Sequence, residues 1–448
     1  MPKPNQSLYL AKDSLDMIWG VDKDTSETVI RGVSEAKLLD FFWEDHPPFW
    51  RKVIILTHHH WMKSETFVEF LISIRDLNKL KTERTLRILQ EWFTFCPFDF
   101  FGNTELKLVT NQLIDGFLHE EFRKLLNQTW LDSVTKYKNL IHTDYSAMHT
   151  NTNEEIPEEN LPGSAKKRRR NVTSEVFSGL IGIGNNPTPS SGAPTNPALI
   201  FLSYDPTDIA QQLTLIDHRL FALIPSLELL RKNFTDPSTC PNLTKMSERF
   251  NQVTGWIGTL ITGTPVLKMR RKILCHFIAI GVKLLVLRNF AGLMAVFLGL
   301  TQGPVSRMTQ TWKSIPEEIE GKWQKLESLC SPGRNFKNLR AIHENCSTPS
   351  VKAPTLFVKD LTFIEDGNEN FITEEIEINS VKKAVKFWNL VKIQQLGRVI
   401  ESVHSSQITP YNIPCHPALL EYLSNVAYVD RNTLETYSRT NEPPNKDD

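Results

Sequence analysis

The run from Ile273 to Leu300 constrains this chain most. It is the most apolar stretch of the sequence, yet His276, Lys283, Arg288 and Asn289 interrupt it. It therefore lacks the ~18 consecutive apolar residues that a membrane-spanning helix requires. The expectation is two buried helical stretches inside a large core. A chain of 448 residues has room for two or three domains of ordinary size. With 40% hydrophobic and 23% charged residues, the composition is that of a soluble globular protein. The 51 basic residues balance the 51 acidic ones, so no overall field argues for nucleic acid or another polyanion.

Residues 1–29 read as an N-terminal extension; Met1–Gly20 carries Asp13 and Asp16 and lacks the apolar core of a signal peptide. The six cysteines, at 96, 240, 275, 330, 346 and 415, contain no C-x-x-C pair and suit reduced thiols in the cytoplasm. From Ile30 to Leu126 the apolar spacing is helical, with Leu86, Leu89, Trp92 and Phe93 on one face of a segment that ends near Pro97. A helical support domain is expected over residues 30–150. The run His58-His59-His60 invites a metal reading. Adjacent side chains diverge, however, and no further ligands are evident, so no metal is expected.

Residues 151–197 form a linker of low hydrophobicity, in which Glu154, Glu155, Glu158 and Glu159 precede the basic cluster Lys166–Arg170. The cluster reads first as a solvated charge run. Weak contact with an anionic membrane, or a nuclear address, is the alternative.

Lys359–Asn368 reads as a helix with an acidic tip, closed by Gly367 and Asn368 in the left-handed conformation. Phe357, Leu361 and Ile364 form its docked stripe, and Thr362 and Asp366 lie one turn apart on another face. Upstream stand Asp205–Asp217, Pro241-Asn-Leu243 with Arg249-Phe-Asn251, Asn289–Met294 and Arg334–Arg340. Downstream stands Pro410-Tyr-Asn-Ile413. In this order the blocks resemble the catalytic domain of the Ras-family guanine-nucleotide exchange factors, the family of Son of Sevenless. Residues 30–150 are similar to the Ras exchanger motif domain that precedes it, through Arg31-Gly32, Ile54–Thr57 and the series Leu86, Trp92, Asp99-Phe100.

The resemblance implies an all-α protein with a helical N-terminal support domain. A larger helical catalytic domain over residues 198–440 would carry a protruding helical hairpin, and a polar tail would follow from 441 to 448. It implies that the hairpin opens the nucleotide site of a Ras or Rap GTPase without covalent chemistry or a cofactor. Thr362, Asp366 and Glu365 would act at the hairpin tip. Ser247, Glu248, Met294, Phe297, Thr301, Gln302, Gly303, Phe336, Leu356, Lys359, Asp360 and Phe363 would meet the GTPase. Met294, Phe297 and Phe336 would form an apolar socket for an aromatic side chain of the partner. Asn289, Asn389 and Lys392 would support the hairpin. Asp366 stands where the family usually has glutamate, and the connection from Asn368 to Asn389 is longer than usual. The second hairpin helix is expected over about Val381–Gln407: either the tip is extended, or this helix begins early with Ser380 as its cap. The altered connection keeps open a second reading, a silent GTPase-binding scaffold. The expected location is the cytoplasm, with recruitment to membranes.

Overall fold

The computed structural model describes residues 17–21, 28–34, 48–142 and 196–444, apart from 76, 102, 231–233, 235, 379 and 380. The Lys166–Arg170 cluster, Ser380 and most of the N-terminal extension lie outside the described residues. The protein is helical with one small sheet.

After strands β1 (Met17–Val21) and β2 (Thr28–Val33), the N-terminal unit is built from α1 (Pro48–Thr57), α2 (Ser64–Arg75), α3 (Lys79–Phe95), α4 (Thr104–Asp115) and α5 (Glu120–His142). Local chemistry sets the boundaries. The Asn78 side chain accepts from Lys81 N–H and opens α3, and Pro97 follows its last turn. Phe67, Phe100 and His58 surround Trp92 at the centre of this unit, with ring centroids 4.9, 5.1 and 4.9 Å from it.

The larger unit contains α6 (Pro197–Ser203), α7 (Pro206–Ala222), α8 (Pro241–Thr262), α9 (Leu267–Val286), α10 (Phe290–Thr301), α11 (Glu317–Cys330) and α12 (Gly333–Asn345). Asp205 caps α7, with Pro206 at the first helical position. The buried Glu228 carboxylate accepts from Asn242 and Leu243 N–H, so a distant side chain caps α8. The apolar run divides into two helices, as its interruptions imply. Arg288 turns at φ 55°, and Asn289 caps α10 by accepting from Gly292 N–H at 2.8 Å. Arg334, Asn335 and Phe336 also have positive φ, so α12 opens with a left-handed turn before its regular part.

The chain continues through α13 (Pro354–Gly367), β3 (Phe371–Ile378), β4 (Val381–Asn389), α14 (Leu390–Gln407), α15 (Pro417–Ser424) and α16 (Arg431–Asn441). Here the structure corrects the expected second helix. Residues 381–389 are strand, and α14 begins only at Leu390. The two hairpin helices are joined by an antiparallel ribbon in which Phe371 faces Trp388 and Ile378 faces Val381. Val, Ile, Phe and Trp at alternating positions favour a pleated strand over a helix. The sheet order is β1-β2-β4-β3, with Gly32 opposite Asn389 and Val33 opposite Trp388. Residues expected as an extension thus add strands to the base of the ribbon.

Two large apolar cores result among the described residues. One packs the N-terminal unit against Phe357 and Leu361 of α13 and Leu390, Ile393, Leu396 and Ile400 of α14. The other joins α6–α11 around Phe201, Trp256, Phe277 and Phe290. The N-terminal unit therefore shares a core with the hairpin. One close approach is at Gly397 on α14, where an added Cβ would lie 2.5 Å from a Val53 methyl on α1. Gly397→Val is expected to cost about 1–3 kcal/mol through overpacking. Urea denaturation measures this loss, and Val53→Ala in the same chain should recover part of it.

Candidate functional site

The stripe expected to dock α13 does so: Phe357 and Leu361 are buried, with Ile364 half-buried beside them, and Leu356, expected to meet the GTPase, is buried too. Phe363 (58% exposed) and Asp366 face outward, and Thr362 and Lys359 are half-buried. The ammonium of Lys359 lies 5.5 Å from the Phe363 ring centroid, a cation–π distance. Arg340 on α12 pairs with Asp360 at 2.7 Å. The Thr362 hydroxyl donates to Val358 C=O one turn back, leaving its methyl as the feature that projects. The helix does not close in the left-handed conformation. Asn368 is extended (φ −136°, ψ 125°), and its side-chain amide donates to Ile364 C=O at 3.0 Å.

Glu365 turns inward, away from the tip role expected for it. It is 6% exposed, and its Oε2 accepts from Lys392 Nζ at 2.7 Å. Lys392, 1% exposed, also donates to Asn370 Oδ1 at 2.6 Å and Asn368 C=O at 3.0 Å. One ammonium thus uses its three donors to tie the end of α13, the start of the ribbon and the start of α14. From the N-terminal unit, His60 Nδ1 approaches Glu365 Oε1 to 3.9 Å, and the His60 ring lies 6.2 Å from that of Trp388. Asn389 accepts from Lys392 N–H and donates to Glu369 C=O, holding the opposite side of the same joint.

The root of α13 is fixed separately. Asn289 is fully buried and donates to Asp217 Oδ2 at 2.8 Å and Thr214 Oγ1 at 3.2 Å. Burial holds the Asp217 carboxyl above its ordinary range, although Arg249 lies 3.7 Å away. Phe290 N–H bonds to Val351 C=O and Val351 N–H to Arg288 C=O, so the strand-like segment before α13 is pinned beside α10.

The remaining predicted contacts divide by burial. Ser247, Glu248 and Gly303 are exposed, while Thr301 and Gln302 are half-buried. Gln302 donates to Thr254 C=O and Gly299 C=O, locking the end of α10 to α8. Met294, Phe297 and Leu356 are buried in the second core, and Phe297 stacks on Trp323 at 5.8 Å. Met294 and Phe297 therefore offer little free surface, and an open apolar socket is not what these residues form; Phe336, half-buried, lies against the same core. The His58 and His59 nitrogens and an Asp99 oxygen do converge, to within 4.8 Å. Hydrogen bonds already engage them: His58 donates from Nδ1 to Ile55 C=O and accepts at Nε2 from the Ser64 hydroxyl, and His59 bonds to Asp99.

Sequence reasoning missed the inward Glu365, its neighbour His60, and Trp388 against Phe371. The alternating, β-branched residues on either side of Asn379-Ser380 were the available signal for the ribbon.

A hydrogen-bonded joint thus ties α13 to α14, with Phe363 and Asp366 on the outward face of α13. Residues 208–384, which include all of α13, match the RasGEF domain family. Over that segment, less than half of its length, the chain resembles the RasGEF domain family. It is similar to Ras guanine nucleotide exchange factor M of Dictyostelium discoideum, 30% identical over 250 residues, or 54% of this chain and 26% of that protein. It is also similar to Ras-specific guanine nucleotide-releasing factor 2 of Rattus norvegicus, 24% identical over 371 residues, or 82% of this chain and 27% of that protein. Ras guanine nucleotide exchange factor A of Dictyostelium discoideum is 30% identical over 264 residues, 57% of this chain and 43% of that protein. The chain thus spans about a quarter of the length of the first two. No helix among the described residues is long and apolar enough to cross a membrane.

Proposed function

We propose that the chain accelerates release of guanine nucleotide from a Ras-family GTPase, Ras or Rap, by inserting α13 as a wedge. The observation that carries this reading is the division of α13 itself: one face is sealed into the core while Phe363 and Asp366 stand outward on the other. A protein that binds the empty GTPase better than the loaded one must weaken the nucleotide by the same factor. The Asp366 carboxylate is unfavourable beside phosphates and tolerable once they leave, so it discriminates between the two states. The Thr362 methyl crowds the magnesium position, and the bulk of α13 displaces switch I. Ser247, Glu248, Thr301, Gln302, Gly303, Lys359 and Asp360 supply the surrounding contact surface. The unit over residues 30–150 acts as a Ras exchanger motif domain, bracing the hairpin through α14 and His60. The chain works in the cytoplasm, where the linker cluster Lys166–Arg170 adds a weak attraction to anionic membranes.

Release of fluorescent nucleotide from purified Ras, Rap and Ral tests the proposal and identifies the substrate. Thr362→Leu combined with Asp366→Ala is expected to slow release about tenfold, a loss of about 1.4 kcal/mol of discrimination between the empty and loaded GTPase. An unchanged rate would refute the tip chemistry. GTPase binding without faster release by the unaltered chain would instead identify a scaffold.

A further inference from the structure

A second surface lies on elements that carry none of the wedge. The loop before α9 and the first turns of that helix read Pro265-Val-Leu-Lys-Met-Arg-Arg-Lys272. Val266 is 62% exposed and Leu267 37%, while on the neighbouring α6 Leu199 is 55% exposed. Behind them, Leu199, Leu202, Met269 and Ala279 line an open, mostly apolar groove of about 470 Å³ that also takes in Lys272 and Cys275. Lys268 and Lys272 are exposed and one turn apart on α9, on the face that continues through Cys275 into the groove. Arg271 is half-buried beside them, and among the described residues none of these three cations forms an ion pair. The fourth cation, Arg270, points inward to Glu442 at 3.2 Å and belongs to the core. The acids on the adjoining α7 are Asp205, which is engaged in capping that helix, Asp208 in its first turn, and Asp217, which is buried against Asn289.

Exposed aliphatic side chains are ordinary one at a time and become informative when they cluster. Here they cluster at a helix entrance ringed by unpaired cations. An acidic peptide would satisfy the charges but leave Val266 and Leu267 in water. An anionic bilayer satisfies both: phosphate and carboxylate headgroups meet Lys268, Arg271 and Lys272 while the aliphatic side chains enter the acyl boundary. We propose that the Val266–Lys272 entrance of α9, with Leu199 of α6, is a docking surface for anionic lipid membranes. Because α13 and α14 take no part in it, a docked molecule keeps its wedge available.

The test is co-sedimentation of the full chain with vesicles of phosphatidylcholine alone and of phosphatidylcholine containing about one-third phosphatidylserine. To separate this surface from the linker, all measurements use the chain in which residues 166–170 are replaced by glutamine. That chain is expected to bind the phosphatidylserine vesicles, to lose binding at 1 M salt, and to ignore phosphatidylcholine. Lys268→Glu with Lys272→Glu should weaken binding at least about tenfold, and Val266→Asp with Leu267→Asp should do the same. Each variant should keep its helical circular dichroism and its exchange rate on soluble GTPase. Equal binding to both vesicle types, or binding that survives both double substitutions, would overturn the proposal. Failure of the glutamine-substituted chain to bind either vesicle would overturn it too, and would direct the search to an acidic protein partner.

Discussion

Lys392→Met is expected to destabilise the folded protein by about 3–5 kcal/mol, because it removes one member of a buried ion pair and strands the other. Glu365 would keep a carboxylate facing a dry joint with only His60 nearby, and Asn370 Oδ1 and Asn368 C=O would each lose a donor. The hairpin should suffer before the body does, since the lost ammonium is what ties α13 to α14. The nucleotide-release rate should therefore fall even at temperatures where the chain remains folded. Glu365→Leu in the Lys392→Met background removes the stranded charge and should restore much of the stability, because a matched apolar pair in such a site is often neutral. The double-mutant cycle, followed by urea denaturation and by release kinetics, isolates the coupling between the two positions. Near-additive losses at 365 and 392 would show that the joint is not held by this pair. Stability restored without the exchange rate would show that the polar joint sets the angle of α13 as well as its stability.

The sequence disclosed the elements whose signals are local. Pro97 after α3 and the break at Arg288-Asn289 each act within a turn or two, and each lies at or beside an observed boundary. The docked stripe of α13 was legible for the same reason, since one-face burial follows from residue spacing alone. The inward turn of Glu365 was not legible. On a helical wheel it lies beside Asp366, and only the arrival of Lys392, 27 residues later, decides which carboxylate is buried. Nor could the sequence show how fully Met294 and Phe297 are covered, because Trp323 comes from a different helix. The ribbon is a different case. The alternation in Phe371–Ile378 and Val381–Trp388 was on the page, but the resemblance to a helical hairpin outweighed it. A two-stranded ribbon is marginal alone; here it is anchored at its base by pairing with β2 and by Phe371 on Trp388, ring centroids 4.3 Å apart. The pairing with β2 joins residues about 350 positions apart in sequence, beyond the reach of any local pattern.

Lowering the pH from 7.5 to 5 is expected to remove at least about 6 kcal/mol of folding stability, most of what a domain of ordinary stability possesses. The cause is five histidines held neutral by burial among the described residues: His58, His404 and His218, the most buried, with His276 lowered to about 4 and His343 to about 3. Burial lowers His58 to about 3, with the adjacent His59 adding to the effect and Asp99 opposing it. Burial, aided by Lys52 and Lys136, lowers His404 to about 3. Burial also lowers His218 to about 4, against backbone hydrogen bonds to Ser406 and Thr409. In the unfolded chain each would titrate near the ordinary value of about 6.5. Between that value and the folded one, the unfolded state holds the extra proton, so stability rises with pH through this window. The stabilisation is complete above pH 6.5 and declines as the pH falls toward 4, by about 2 kcal/mol per histidine at pH 5. Asp217, raised by burial, works in the opposite sense at the low end, so the measurement is best made as a difference. His404→Gln, which retains a side-chain donor in the contact between α14 and the N-terminal unit, should flatten the pH dependence of the urea midpoint by about one-fifth between pH 7.5 and 5. His404 packs edge-on against Phe95 at 5.5 Å, at the seam through which the N-terminal unit grips α14. Its protonation should therefore loosen that grip first, and the nucleotide-release rate should fall at a higher pH than the helical signal does. A release rate and a helical signal that decline together would place the acid-sensitive step in the body of the protein, away from the seam.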